Sequence, residues 1–286
     1  MTSISATAPN STAAPNTGGS RHSSHVVADS VTMLRRNLLH MVRYPALSMF
    51  TVLGPVVILL LFVFVFGGAL GASVPGLPSL SGGDRGAYLA YVVPGILVIT
   101  IAGGAGGTAT TVAMDMKEGV VARFRTMSIS RAAVLTGHVL GNVIQGLISV
   151  ALVFGVSLLI GFRPTTGPLQ WLALLGVVTL IQFAIVWLAV AMGMAATSVE
   201  SASNLPLILL ILPLVGSGFV PTSTMPAALQ VFAQYQPFTP FTETIRGLLL
   251  GTPIGSAWLL TLGWSIAIAL GGYLWALALY NRRSVR

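Results

Sequence analysis

The sequence predicts an all-α integral membrane protein, and three observations carry that prediction. Charged residues make up 7% of the chain where a soluble domain carries roughly 25%, and apolar residues reach 55% with a mean hydropathy of +0.89. Six long runs contain no Asp, Glu, Lys or Arg, each near or above the roughly 20 residues a helix needs to cross a bilayer. The basic residues flank these runs instead of clustering in one domain, so the net charge of +8 reads as membrane topology and not as a nucleic-acid surface. There is no cysteine, which removes disulfides, thiol nucleophiles and thiolate metal sites.

Residues 1–25 are rich in Ser, Thr, Ala, Pro, Asn and Gly, with too few apolar side chains to offset the entropy of ordering them, and are expected to be a disordered tail. They lack the basic and apolar regions of a signal peptide. The membrane domain is expected over 26–286. It begins with Val27, Val31, Leu34, Leu38 and Val42 on one helical face and Arg36, His40 and Arg43 opposite. That pattern predicts a helix lying in the membrane interface, its arginines suited to anionic headgroups; a cytoplasmic bundle helix is the competing reading.

The six spans are placed at Leu47 to Leu70, Tyr88 to Ala113, Ala133 to Phe162, Leu169 to Thr197, Leu205 to Val220 and Ser256 to Tyr280. The fifth is short and punctuated by Pro206, Pro213 and Pro221, so it either starts nearer Ser201 or is kinked. Lys and Arg are retained on the cytoplasmic side. With the N-terminus inside, eleven of the 14 basic residues lie inside, and only Arg85, Arg163 and Arg246 lie outside. Both termini are therefore expected in the cytoplasm.

Between spans five and six, Pro221 to Gly255 is too long and patterned for a turn. Leu229, Phe232 and Ala233 suggest a short helix after Pro226. A second is expected with Thr239 as cap, Pro240 at its first position, and Phe241, Ile245, Leu248 and Leu249 on one face. Glu243 and Arg246 then fall as i,i+3 partners. Two apolar helices here predict a hairpin re-entering the outer leaflet, against a loop lying on the headgroups.

The stretch Met114 to Arg131 packs six charges into a chain that otherwise carries few, and the topology places it in the cytoplasm. Met116, Val120, Phe124 and Met127 would line one face of a helix there, resting on protein or on lipid. The rest of the chain narrows function by what it lacks. There is no phosphate loop, and the GGAGG at Gly103 to Gly107 lies inside the second run, where close helix packing through Gly103 and Gly107 is expected. No HExxH motif, paired intramembrane acid or histidine cluster suggests a hydrolase. Asn142, Gln145 and Gln182 are read as interhelical glue, with a polar pathway as the alternative. An ion-driven transporter would need ionisable groups or specialised broken helices at mid-membrane, so a transporter of this composition is expected to draw its energy from another subunit.

These features resemble the membrane subunits of ABC type-2 exporters, particularly daunorubicin-resistance and multidrug efflux permeases. The resemblance rests on Tyr44-Pro45 at the entry to span one, YVVPGIL at Tyr91 to Leu97, and DMKEGVVARFRTMSISR at Asp115 to Arg131. It is strongest in LPLILLILPLVGSGFVPTSTMP, Leu205 to Pro226, and QPFTPFTETIRGLLLG, Gln236 to Gly251. It implies an interfacial connecting helix, six transmembrane helices, a cytoplasmic coupling helix and an extracellular re-entrant helical hairpin, in the cell membrane. It implies two permease halves, a second copy of this chain or a related one, and cytosolic ATPase subunits that bind ATP and Mg, with no cofactor in this chain. Carried over, Asp115, Lys117, Glu118, Gly119, Arg123, Phe124 and Arg125 become candidate ATPase-coupling residues, and Glu243 and Arg246 candidate residues of an extracellular gate. Spans one, two and five would line the pathway. The loop departs from the family pattern in having no proline after Met127, which puts its local turn outside that pattern. The function expected is export of a hydrophobic or amphipathic compound, such as a drug, antibiotic or lipid. The alternatives are a polysaccharide or glycolipid exporter, and a non-transporting scaffold or sensor that recruits a cytoplasmic regulator.

Overall fold

The computed structural model describes residues 45–67, 84–117 and 131–283, with side chains over 53–67, 86–117 and 139–280. The expected tail, the expected interfacial helix with Arg36, His40 and Arg43, and the candidate coupling residues Glu118, Gly119, Arg123, Phe124 and Arg125 lie outside the described residues. Among those described, all regular structure is helical. Four helices are long and apolar enough to cross a membrane, over Gly86–Lys117, Val139–Ile160, Pro168–Ala195 and Ala257–Tyr280, while Leu53–Phe66 and Val199–Val215 are shorter apolar stretches.

In chain order, α1 (Pro45–Leu60) continues as a π-helical segment, Leu61–Phe66; α2 is Asp84–Lys117, α3 Arg131–Ile160 and α4 Pro168–Ala195. The fifth apolar run is broken into α5 (Val199–Asn204), α6 (Leu207–Ile211) and a 3-10 turn, Leu212–Val215. Two hairpin helices follow, α7 (Ala227–Tyr235) and α8 (Phe238–Leu250), and α9 (Ala257–Arg283) ends the fold.

The fifth run shows how prolines act at a helix with no length to spare. It starts at Val199, six residues before the expected Leu205, because Ser198 caps it by accepting a 3.0 Å bond from the Ser201 amide. Glu200 in the first turn suits the positive end of the helix dipole. Pro206 then forces a turn before α6, and Pro213 tightens the last turn to 3-10.

The central helix is α2: 78% of its most apolar window is buried, against 17% for α9, so α9 lies at the periphery. Lipid tails are as apolar as leucine, so helices in a bilayer gain mainly from close backbone approach. Here that approach falls on single glycines. A Cβ on Gly193 of α4 would stand 2.5 Å from the Ala109 carbonyl oxygen of α2, and one on Gly272 of α9 would stand 2.7 Å from the Leu188 amide of α4. The expected pair is not used this way within the chain. A Cβ on Gly103 would meet only Leu210 Cδ1 at 3.6 Å, and one on Gly107 nothing within 4 Å. Local spacing identified the motif, but which glycine meets a neighbour depends on how the helices cross.

Several threonine hydroxyls bond back to their own helices: Thr100 Oγ1 donates to the Ile96 carbonyl (2.7 Å), half-buried Thr110 Oγ1 to that of Gly106 (2.8 Å) and Thr242 Oγ1 to that of Phe238 (2.8 Å). This i−4 bonding removes the cost of an unpaired hydroxyl in apolar surroundings. Gln182 is 2% exposed, and its amide lies against Gly146 of α3, which leaves no room for a side chain there.

Candidate functional site

At the end of the molecule away from Lys117, the chain crosses from the broken fifth run to the hairpin as Gly216-Ser217-Gly218-Phe219. All four residues are buried although none belongs to a regular helix. Non-helical backbone in apolar surroundings needs a partner for each polar group, since each one left bare costs about 1–3 kcal/mol. The hairpin provides several. Thr239 Oγ1 accepts from the Ser217 amide (3.3 Å), Gln236 Nε2 donates to the Leu212 carbonyl (3.0 Å), and Arg246 Nη2 donates to the Ser217 carbonyl (2.7 Å). The Gly216 amide closes the preceding turn on Pro213 (3.2 Å).

The same Nη2 also donates to the Tyr91 carbonyl of α2 (3.1 Å), and the guanidinium carbon stands 4.0 Å from the centroid of the Tyr91 ring. A carbonyl has two lone pairs, so the Tyr91 carbonyl can take Arg246 without leaving its helix. Pro94 has no N–H to give, which leaves the neighbouring Ala90 carbonyl without its ladder partner. One residue on, Gly95 touches the crossing directly: a Cβ there would lie 2.7 Å from both Cα and O of Gly218. Phe219 then stacks on Phe62 in the π-helical part of α1, centroids 4.4 Å apart. Arg246 thus joins α2, the crossing and α8 at one point, its charge offset by two carbonyls and a ring face.

Two sequence expectations are corrected here. Arg246 makes no direct ion pair with Glu243: its hydrogen bonds go to carbonyls 155 and 29 residues away in sequence, while Glu243, on the exposed side of α8, acts on it only through its charge. Thr239 is not the helix cap: α8 begins at Phe238 behind Pro237, and the Thr239 hydroxyl serves the crossing instead. The apolar face was legible, for Phe241, Ile245, Leu248 and Leu249 are all buried. On α7 only Ala233 is buried, and Leu229 and Phe232 are exposed.

The far end of α8 is gripped as well. The Thr165 amide donates to the Leu249 carbonyl (3.1 Å) and its hydroxyl to that of Leu250 (2.9 Å), pairing two of the carbonyls that a helix C-terminus leaves open. Gly251, at φ +66, turns the chain there. Thr244 and Thr261 share a buried 2.9 Å bond that ties α8 to α9. Ser217 Oγ, Gln236 Oε1 and Arg246 Nε are buried with no hydrogen-bond partner among the described residues. Sequence reading passed over Tyr91, Gly95, Ser217, Gly218, Gln236, Thr239 and Thr165 as site residues. The first six fall inside runs that carried the family resemblance, YVVPGIL, LVGSGFV and QPFTPFTETIRG, and that was the available signal; Thr165 had none.

The opposite end of α2 carries Asp115, half-buried, and Lys117, exposed. A cleft of about 80 Å³ opens there between Ala113, Met116 and Lys117 of α2, Gly193 of α4 and the Ala196–Ser198 turn. Met116, the first residue of the expected apolar stripe, rests on protein, against the cluster of Val112, Val139, Val190 and Met194. Among the described residues no three acidic or histidine side chains gather as a metal site would require.

Comparison with known proteins agrees with this arrangement of motifs. The profile of the ABC-2 type transporter family matches residues 30–250. The chain is 29% identical over 227 residues to a daunorubicin resistance ABC transporter permease of Streptomyces coeruleorubidus, covering 79% of this chain and 76% of that one. It is 28% identical over 225 residues to the probable doxorubicin resistance ABC transporter permease of Mycobacterium tuberculosis, covering 77% and 78% respectively.

Proposed function

Since the chain belongs to the ABC-2 type transporter family, whose members are membrane permease subunits and not enzymes, we propose that it exports a hydrophobic or amphipathic compound with ATP hydrolysed on a separate subunit. Its place as the permease subunit of an ABC exporter, working with ATP-binding subunits, follows from the family. The cargo class is supported by the names of its relatives, both drug-resistance permeases, and by the apolar character of the spans. A drug, antibiotic or lipid-like molecule fits both.

The observation that carries the reading is the buried, non-helical crossing held by Arg246. Broken helices beside a translocation pathway are a recurring device of transporters, because unwound backbone can be re-paired as the pathway opens. In this reading six spans run with both termini in the cytoplasm, spans one, two and five line the pathway between two permease halves, and the hairpin re-enters from outside. The partner half is a second copy of this chain or a related permease, set among membrane lipid. Arg246, with Glu243 on the exposed side of α8, belongs to the outer gate. Asp115, Lys117, Glu118, Gly119, Arg123, Phe124 and Arg125 form the coupling element against a cytosolic ATPase, which binds ATP and Mg.

The test is reconstitution of this chain with its cognate ATP-binding subunit, in liposomes, measuring ATP-dependent movement of a fluorescent anthracycline alongside a labelled lipid and a labelled polysaccharide. Transport of the first or second supports the reading. Failure of the two subunits to co-purify, with no ATP-dependent transport, overturns it, and transport of the polysaccharide alone moves the substrate to the other class.

A further inference from the structure

Two helices border the segment 118–130, and both are fastened at their far ends to the same short helix. α2 runs unbroken for 34 residues from Asp84 to Lys117, and α3 for 30 from Arg131 to Ile160, about 50 and 45 Å of helix. At its far end α2 holds α8 through the Tyr91 carbonyl and ring, which take the Arg246 guanidinium.

From α3 the connection is short and bonded along its length. Gly161, at φ +116, ends the helix, with its amide on the Leu158 carbonyl (3.2 Å) and the Phe162 amide on that of Ser157 (3.0 Å). Arg163 Nη1 then donates back to the carbonyls of Leu158 (2.9 Å) and Phe162 (3.1 Å), and Phe162 packs edge-on to Phe154 of α3 at 5.9 Å. Two residues later Thr165 takes the Leu249 and Leu250 carbonyls of α8. A loop that only had to join α3 to α4 would need none of these bonds.

The two attachments on α8, at Arg246 and at Leu249–Leu250, lie about one helical turn apart. Resting on the proposed function, in which the ATPase acts on 118–130 and the hairpin belongs to the outer gate, we propose that Thr165 is the link from α3 to α8, so that α3 acts on α8 at Leu249–Leu250 while α2 acts on it at Arg246. A tilt of α2 against α3 arrives at α8 as a pair of displacements at two separate points. Because the Arg246 point also holds the Ser217 carbonyl, turning α8 strains the bond that closes the crossing. Thr165 is then a positioning residue, which touches no cargo and no nucleotide but completes one of the two grips.

The chain has no native cysteine, so a single spin label can be placed at Thr252→Cys, an exposed position two residues beyond α8. In the reconstituted complex the label's spectrum is recorded with and without ATP and vanadate, in the parent, in Thr165→Val and in Thr165→Ser. The valine removes the hydroxyl bond and keeps the shape; the serine keeps the bond. The nucleotide-dependent spectral change and the transport rate are expected to fall about three- to tenfold in Thr165→Val, the factor carried by one net hydrogen bond, with basal ATP hydrolysis retained and Thr165→Ser near the parent. Arg163→Gln, which loosens the same link from the α3 side, is expected to act in the same direction and serves if the valine variant fails to fold. A parent that transports without any change at residue 252, or a folded Thr165→Val or Arg163→Gln with the full change and full transport, would overturn the proposal while leaving the exporter reading intact. A parent that does not transport at all removes the exporter reading, and this proposal with it.

Discussion

Gly95 and Gly107 lie on the same helix, and only one of them has a reason to be glycine that is visible within this chain. At Gly95 a methyl group would overlap the Gly218 backbone at 2.7 Å, and backbone cannot rotate away as a side chain can. At Gly107 the same methyl group would meet open space. Gly95→Ala is therefore expected to lower the thermal stability of the detergent-solubilised protein by about 1–3 kcal/mol, the cost of overpacking a tight contact. Gly107→Ala should cost nothing and can stabilise by up to about 1 kcal/mol, because alanine is the better helix former where nothing crowds it. Equal losses at both positions would mean that the Gly95–Gly218 approach is not what holds the crossing against α2.

At the scale of elements, the informative one is the broken fifth run. α5 has only six residues, too few to be stable alone, so its cap and its packing against α2 decide whether it forms. Ser198→Ala removes the side-chain acceptor for the Ser201 amide and should cost about 0.5–2 kcal/mol, seen as a lower unfolding temperature and faster proteolysis near Asn204. An unchanged melting profile would show that packing alone holds α5. The hairpin helix α8 is the contrasting case. It is buried on nearly every face, with its C-terminal carbonyls taken by Thr165 and its middle held by Arg246, so its order comes from other elements and not from local propensity.

At the scale of the whole molecule, the distribution of Lys and Arg sets the expected orientation, with Lys117 inside and the hairpin outside. In intact cells a membrane-impermeant thiol reagent should label Thr252→Cys, whereas Lys117→Cys should react only after permeabilisation. The reverse pattern would invert the topology and place the Arg246 crossing on the cytoplasmic side. Helices α1, α3, α4, α5 and α8 all pack against α2, and the peripheral α9 meets this body mainly through α4 and α8. Two ends of that body stand out: the cleft at Lys117, beside the segment proposed to couple to the ATPase, and the crossing at Arg246.

What could be read from residues alone was whatever is decided locally. Partition into a bilayer adds up along a run, so the helices Asp84–Lys117, Arg131–Ile160, Pro168–Ala195 and Ala257–Arg283 fall within a few residues of their expected places. Prolines act on their own turn, which is why the break in the fifth run could be anticipated. Periodicity marks one face of a helix, and Phe241, Ile245, Leu248 and Leu249 proved buried. Partners distant along the chain were not legible. Local rules offered Arg246 a glutamate three residues away, and the fold gave it the carbonyls of Tyr91 and Ser217. They offered Gly103 and Gly107 as the packing pair, and the crossing geometry chose Gly95, Gly193 and Gly272. The physical reason is the same in each case: hydropathy and helical period are properties of neighbours along the chain, whereas a hydrogen bond or a close backbone approach exists only once separate helices have met.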